Sequence, residues 1–299
     1  MTFKYILHLI VAASIGFLTV PLHADPLSAD ADPSLSKNTP NSTEVKKKSP
    51  KHRTVRRRRG CSSYAAPRYR RMVRNWQAVP RIPGPKYRGG FRDLVLYSVN
   101  HGERIRVFPF LPDGTLDPEA VLQIQHLLRD KDTDEEHPVH PRLIKLLYRT
   151  ADALNAKQIN VISGYRVSTE EKKEGNHTLG AAVDFMIPGT PLGAVAKKVR
   201  SFGHAGVGFY PISGFVHMDV RDGPSYFWID RSGPGKPTCL RRIYAQSAAK
   251  ADRKWRPEHD EPALHKNKRG EILDDTQLSQ SASTDADPTD ESSSSSKKS

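Results

Sequence analysis

The chain has 299 residues, only 36% of them hydrophobic, and a formal net charge of +14. So little apolar material leaves room for one modest folded domain between long polar segments, and excludes a large multi-core protein. Uniform basicity is excluded too: 17 Lys and Arg and no Asp or Glu lie between Lys46 and Arg92, and removing them leaves −3 for the rest.

Residues 1–24 read as an export signal. Lys4 supplies the charge, Tyr5 to Pro21 is mostly apolar, and Leu22-His23-Ala24 offers a small-residue cleavage site before Asp25. His8 interrupts the apolar run and Pro21 ends it, which favours cleavage over an anchor needing about 20 apolar residues. The expected location is therefore the periplasm or cell envelope. Residues 25–90 read as a disordered linker and basic arm, rich in Ser, Pro, Asp and Asn at first and then densely basic, with Arg56 to Arg59 in a row. The basic stretch from 46 to 92 suits anionic envelope polymers or a membrane surface. Tyr64, Tyr69 and Trp76 interleave with Arg68, Arg70, Arg71 and Arg74. Without a nucleic-acid-binding signature, and in an exported chain, no nucleic acid is expected. Cys61 and Cys239 are the two cysteines. Export permits a disulfide between them, free thiols are the alternative, and neither has the CxxC spacing of a zinc site.

Residues 91–245 read as the folded domain. Leu94 to Val99 alternates like a strand, Asn100-His101-Gly102-Glu103 turns, and Arg104 to Phe110 returns as a hairpin. Asp117 is placed to cap a helix with Pro118 and Glu119 in its first turn. A second helix follows Pro141, with Leu143, Leu146, Leu147, Ala151 and Leu154 at helical spacing, and His137 and His140 in the loop before it as capping candidates. Ile159 to Ser163 is a strand delivering Tyr165 and Arg166, and Ala181 to Ile187 is the next. A third helix runs from Thr190-Pro191 to about Phe202, with Gly203 as its C-cap. Gly206 to Tyr210 and Phe215 to Val220 form a last strand pair. This order predicts an α+β domain: a small antiparallel sheet with helices packed on one side; a monomer is the expectation, though the sequence does not fix the oligomeric state. Residues 246–299 read as a disordered polar tail.

The chemistry lies between Ser163 and Asp219. His177 and Asp184 stand seven positions apart across Gly180, and His217 follows in Phe-Val-His-Met-Asp. Alternation puts Ala182 and Asp184 on one strand face and His217 and Asp219 on one face of another, so one sheet face can gather the three while a loop brings His177. Two imidazoles and a carboxylate, with a fourth position for water, are the ligand set of hydrolytic zinc, though other divalent metals use the same donors. Zinc lowers the pKa of its water to roughly 7, and a general base is then needed. Asp219 is the local candidate; orienting His217 through its other ring nitrogen is the equal alternative. Arg166, just past a strand end, suits a substrate carboxylate or oxyanion, against the plainer reading of a structural salt bridge. Tyr165 beside it is a substrate-binding candidate. His204 is a lesser ligand candidate, or an exposed loop histidine.

These residues resemble the zinc peptidases that include lysostaphin, the D-Ala-D-Ala metallopeptidases and the sonic hedgehog fold. The motif Ser-x-His-x-x-Gly-x-Ala-x-Asp is matched by His177, Gly180, Ala182 and Asp184, with Gly175 in place of the serine. Ser163-Gly164-Tyr165-Arg166 and the run Gly-Val-Gly-Phe-Tyr-Pro at 206–211 also match, most closely the murein endopeptidase K branch. The resemblance implies a hedgehog-like fold, zinc on His177, Asp184 and His217, substrate contact by Arg166, and a peptidoglycan peptide as substrate. Many members of the wider superfamily carry a catalytic Glu three residues before the last histidine, where this chain has Gly214; the murein endopeptidase K branch that it resembles most lacks that Glu too. The expected function is an exported zinc peptidase cutting peptidoglycan cross-links. The rivals are a D,D- or L,D-carboxypeptidase trimming stem peptides and a catalytically silent wall-binding module.

Overall fold

A computed structural model of the chain describes residues 62–168, 175–242 and 244–275. The export signal, the run Arg56 to Arg59, the proposed Cys61–Cys239 pairing (through Cys61) and the last part of the polar tail lie outside the described residues. Among the described residues no helix is long and apolar enough to cross a membrane.

In chain order the elements are α1 (Pro67–Gln77), β1 (Tyr87–Arg88), β2 (Phe91–Arg92), β3 (Leu94–Ser98), β4 (Arg104–Val107), α2 (Pro118–Leu127), α3 (Pro141–Ala153), β5 (Ile159–Ser163), β6 (Ala182–Met186), α4 (Leu192–Val199), β7 (Ala205–Tyr210), β8 (Phe215–Val220), β9 (Tyr226–Asp230), β10 (Leu240–Arg242) and α5 (Ala245–Lys254). A 3₁₀ turn, Pro257–Asp260, follows α5. The protein is α+β, as expected. Strands β1 and β2 form a small antiparallel pair, and the other eight make one sheet in the order β10-β9-β7-β8-β6-β5-β3-β4. The sheet is larger than the sequence implied. It is also mixed, because β3–β5 and β7–β9 pair in parallel. The first parallel pair exists because α2 and α3 form the long crossover that such strands require.

Helix starts follow the sequence signals. The Asp117 carboxylate accepts from the Glu119 amide at 3.0 Å to cap α2. His140 Nδ1 accepts from the Arg142 amide at 3.2 Å to cap α3, whereas His137 instead stacks on Tyr165 at 4.9 Å. Helix α4 ends before Gly203, which is not its C-cap. A side chain at Gly203 would meet Trp255, with a Cβ only 2.5 Å from the Trp255 Cβ, and it is His204 that takes the left-handed turn, at φ 50°.

Leu143, Ile144, Leu146, Leu147 and Ala151 of α3, with Val195, Ala196 and Val199 of α4, are buried against Val183, Phe185, Val207, Val216, Met218 and Phe227. Each such side chain contributes about 1.5–3 kcal/mol through loss of apolar contact with water. Alternation then forces the intervening residues, Ala182, Asp184, His217 and Asp219, onto the opposite sheet face.

That opposite face is bordered by α1, inside the segment expected to be an unfolded arm. Tyr69, Val73 and Trp76 turn inward: Tyr69 donates its hydroxyl to the Ser213 carbonyl at 2.8 Å, and Asn160 Nδ2 donates to the Trp76 carbonyl at 2.9 Å. The expected boundary at 245 is likewise not where the described structure stops. Asp260, 4% exposed, binds Arg142 Nε at 2.6 Å, Arg149 at 3.1 Å and Trp255 Nε1 at 2.9 Å. Farther on, Gly90 exchanges backbone hydrogen bonds with Leu273 and His265, each at 2.8 Å. A few specific polar anchors hold segments whose composition alone reads as unfolded.

Candidate metal centre

Antiparallel pairing of β6 with β8 sets Asp184 directly opposite His217, and Ala182 opposite Asp219. The loop into β6 brings His177 over them. Gly175 and Thr178 close that loop through three bonds: the Thr178 amide and Thr178 Oγ1 each donate to the Gly175 carbonyl at 2.8 Å, and the Gly175 amide donates to Thr178 Oγ1 at 3.0 Å. The Gly175 that replaces the motif serine thus sits in a tied turn. Gly180, at φ +61°, bends the chain into β6 in a conformation that side-chain-bearing residues resist.

The three predicted ligands come together. One donor atom from each of His177, Asp184 and His217 lies within 4.8 Å of the others. His177 Nε2 is 3.1 Å from His217 Nδ1 and 3.4 Å from Asp184 Oδ1, and His217 Nδ1 is 2.8 Å from that same oxygen. Tetrahedral zinc with bonds of 2.0–2.1 Å spaces its ligand atoms roughly 3.3 Å apart, so the triangle has the right size. The outer atoms of both rings are tied off. His177 Nδ1 donates to the Gly164 carbonyl at 2.6 Å, and His217 Nε2 donates to Asp219 Oδ2 at 2.9 Å. With those protons committed, two imidazole lone pairs and a carboxylate oxygen aim at one point. Such a donor set repels itself unless a cation sits between, a proton on His217 Nδ1 in the metal-free chain or a metal ion in its place, and it fits zinc.

Burial pushes the Asp184 carboxyl up, but His177 and His217 outweigh it and hold the acid well below the usual carboxylate range. Arg166 binds Asp184 Oδ2, leaving Oδ1 to the histidines, and its Nε donates to Ser163 Oγ at 2.8 Å. Half exposed, Arg166 thereby makes the salt bridge weighed as its alternative role while keeping a solvent-facing edge. Tyr165 stands next to it, stacked on His137.

Asp219 is 1% exposed and lies behind the His217 ring, on the nitrogen away from the converging atoms. Its carboxylate also receives Arg221 Nε at 2.6 Å and Nη2 at 3.0 Å, and the Gly206 amide at 3.1 Å. Burial opposes ionisation, yet His217 and Arg221 bring its pKa down to about 2. That geometry corresponds to the orienting role rather than to a base reaching the reacting atoms. His204 is no ligand here: its Nδ1 is 3.0 Å from the Gly223 carbonyl and its ring packs on Trp255.

Sequence reasoning placed β7 beside β8 and matched its glycine run to the family, but gave those glycines no role. Gly206 and Gly208 of β7 pair with Asp219 and His217. A Cβ on Gly206 would collide with the Asp219 carboxylate, and one on Gly208 would come within 2.6 Å of the Trp228 ring. Their bareness lets Asp219 and Trp228 lie across the strand, and Trp228 reaches within 5.2 Å of the His217 ring. Trp228 Nε1 donates to Tyr210 Oη at 3.1 Å. Burial, with the carboxylates of Asp184 and Asp230 nearby, pushes the Tyr210 hydroxyl up to about 12. The Gly-x-Gly spacing was the available signal. Beside this centre, a cleft of about 590 Å³ opens between Asn176, Leu179, Arg221, Asp222, Tyr226 and His140. The three ligands do not line it; of its lining residues, Asn176 precedes His177 in the chain and Arg221 bonds Asp219.

Comparison with known proteins places this geometry in context. The family model described as "Peptidoglycan L,D-endopeptidase MepK" matches residues 86–228. A Haemophilus influenzae protein named probable peptidoglycan L,D-endopeptidase MepK is 34% identical over 149 residues, 46% of this chain and 78% of that protein. The Escherichia coli K12 peptidoglycan L,D-endopeptidase MepK is 34% identical over 148 residues, 46% of this chain and 80% of its own. No solved structure matches the chain significantly.

Proposed function

The chain belongs to the peptidoglycan L,D-endopeptidase MepK family, and on that premise we propose that it is an exported zinc peptidase hydrolysing an L,D amide bond in the peptide cross-links of peptidoglycan. The observation that carries the reading is the convergence of His177 Nε2, His217 Nδ1 and Asp184 Oδ1 within 4.8 Å, with the far nitrogen of each ring already committed. Zinc bound there supplies Lewis acidity for the scissile carbonyl and acidifies the attacking water. The chain's own residues do the rest. Gly164 and Asp219 fix the tautomers and orientations of the two imidazoles, Arg221 and the Gly206 amide fix Asp219, and Arg166 turns the Asp184 carboxylate. The exposed edge of Arg166, together with Tyr165, is available to the substrate, and the cleft at Leu179 and Tyr226 receives peptide on one side of the bond. The expected setting is the periplasm or cell envelope, with the protein acting as a monomer.

Digestion of purified muropeptides tests this. Zinc-loaded protein should consume cross-linked dimers, and a chelator should stop it. Shortened monomers with intact dimers would make it a carboxypeptidase. Intact substrates with retained binding to sacculi would make it a silent wall-binding module.

A further inference from the structure

Helix α1 sorts its residues sharply. Tyr69, Val73 and Trp76, spaced four and three apart, turn onto the domain, while Arg68, Arg70, Arg71 and Arg74 are all exposed and fan over the outward side. No acidic residue lies in the helix, and none of these arginines makes an ion pair among the described residues. A solvated cationic tail would have no fixed place. This one is fixed: the Gly189 amide donates to the Gln77 carbonyl at 3.1 Å, Tyr69 holds Ser213, Trp76 holds Asn160, and Val73 packs on Gly214 so closely that a side chain there would collide with it. Gly214 is three residues from His217, about 10 Å along an extended strand. Asn160 pairs with Met186, which shares the sheet face of Asp184 two residues away. The arginines therefore stand at one border of the face that carries the metal centre.

We propose that α1 is an exosite for the polymeric substrate: Arg68, Arg70, Arg71 and Arg74 bind the carboxylates of neighbouring stem peptides in the peptidoglycan network while one cross-link lies at the centre. This rests on the murein reading above. Charge complementarity selects a polyanion, and the orientation of the helix selects polymer over lipid. A helix lying in a bilayer surface buries its apolar face in the headgroups, but Tyr69, Val73 and Trp76 of α1 are turned onto the domain and partly buried there, which leaves Met72 as the helix's one exposed large apolar side chain.

The test compares the full-length zinc enzyme with R68Q/R70Q/R71Q/R74Q and with the matching four-lysine variant. Digestion of intact sacculi at low salt should fall at least tenfold in the glutamine variant, while cleavage of a small soluble cross-linked muropeptide changes less than twofold. The lysine variant should keep most of the sacculus activity, and raising salt should bring wild type down toward the glutamine variant. Equal loss on both substrates, or no loss on sacculi, overturns the exosite. So does binding to phosphatidylglycerol vesicles that disappears in the glutamine variant while sacculus digestion persists. If wild type cleaves neither substrate the hydrolase reading fails. Cosedimentation with sacculi then decides the exosite alone: retention by wild type with release of the glutamine variant supports it, and equal retention overturns it.

Discussion

His217 is held from both sides, by Asp184 on Nδ1 and Asp219 on Nε2. Burial disfavours its charge, yet the two carboxylates raise its pKa in the metal-free chain to about 9, from an ordinary 6.5. A raised folded value adds stability that is complete below the unfolded value and is lost as pH climbs through the folded one. Metal-free protein should therefore melt at a lower temperature at pH 9.5 than at pH 6.5, and His217→Asn should flatten that slope. Zinc replaces the proton, so calorimetry in buffers of different ionisation enthalpy should record release of roughly one proton per site at pH 7. Elemental analysis should find stoichiometric zinc in wild type and none in His177→Ala. For Asp219→Asn the expected outcome is a 10–100-fold loss of zinc affinity or turnover, the usual effect of removing a partner that orients a ligand. The shape of its pH–rate profile should stay that of wild type. Disappearance of a limb would make Asp219 the general base after all.

Strand β7 and the turn after it act through what they lack. Gly206→Ala pushes a methyl into the Asp219 carboxylate. A loss of about 1–3 kcal/mol is expected in urea unfolding, from crowding a packed site, together with weakened zinc binding, because the displaced carboxylate no longer holds His217. Gly214 shows the same logic between elements. Its φ is +83°, and Val73 of α1 occupies the space a side chain would take. Gly214→Glu should therefore not raise activity. It should lower stability and free α1, seen as faster proteolysis between residues 62 and 80. A more active Gly214→Glu protein with α1 still protected would overturn this account of the turn.

At the scale of the whole molecule, the two segments flanking the sheet are held by isolated buried anchors. Asp260 draws Arg142, Arg149 and Trp255 together, so Asp260→Ala leaves guanidinium charge without its partner and should cost about 3 kcal/mol. Chemical denaturation measures it, and a loss below about 0.5 kcal/mol would mean that the extension adds nothing to the domain. The sequence by itself determined the central strands, the caps at Asp117 and His140 and the α+β class, and it nominated His177, Asp184 and His217, whose donor atoms the fold brings within 4.8 Å of one another. Period and capping chemistry are local signals written within a few positions of one another, while the ligands were legible by residue type and motif although His217 lies 40 residues after His177. Only the tertiary structure decided that Asp219 lies behind the His217 ring, that β9 returns in parallel beside β7, and that α1 and residues 245–275 pack on the domain. Those outcomes depend on which distant groups meet across a fold, Tyr69 with Ser213 or Arg142 with Asp260, and neither composition nor periodicity records the meeting of groups far apart in the chain.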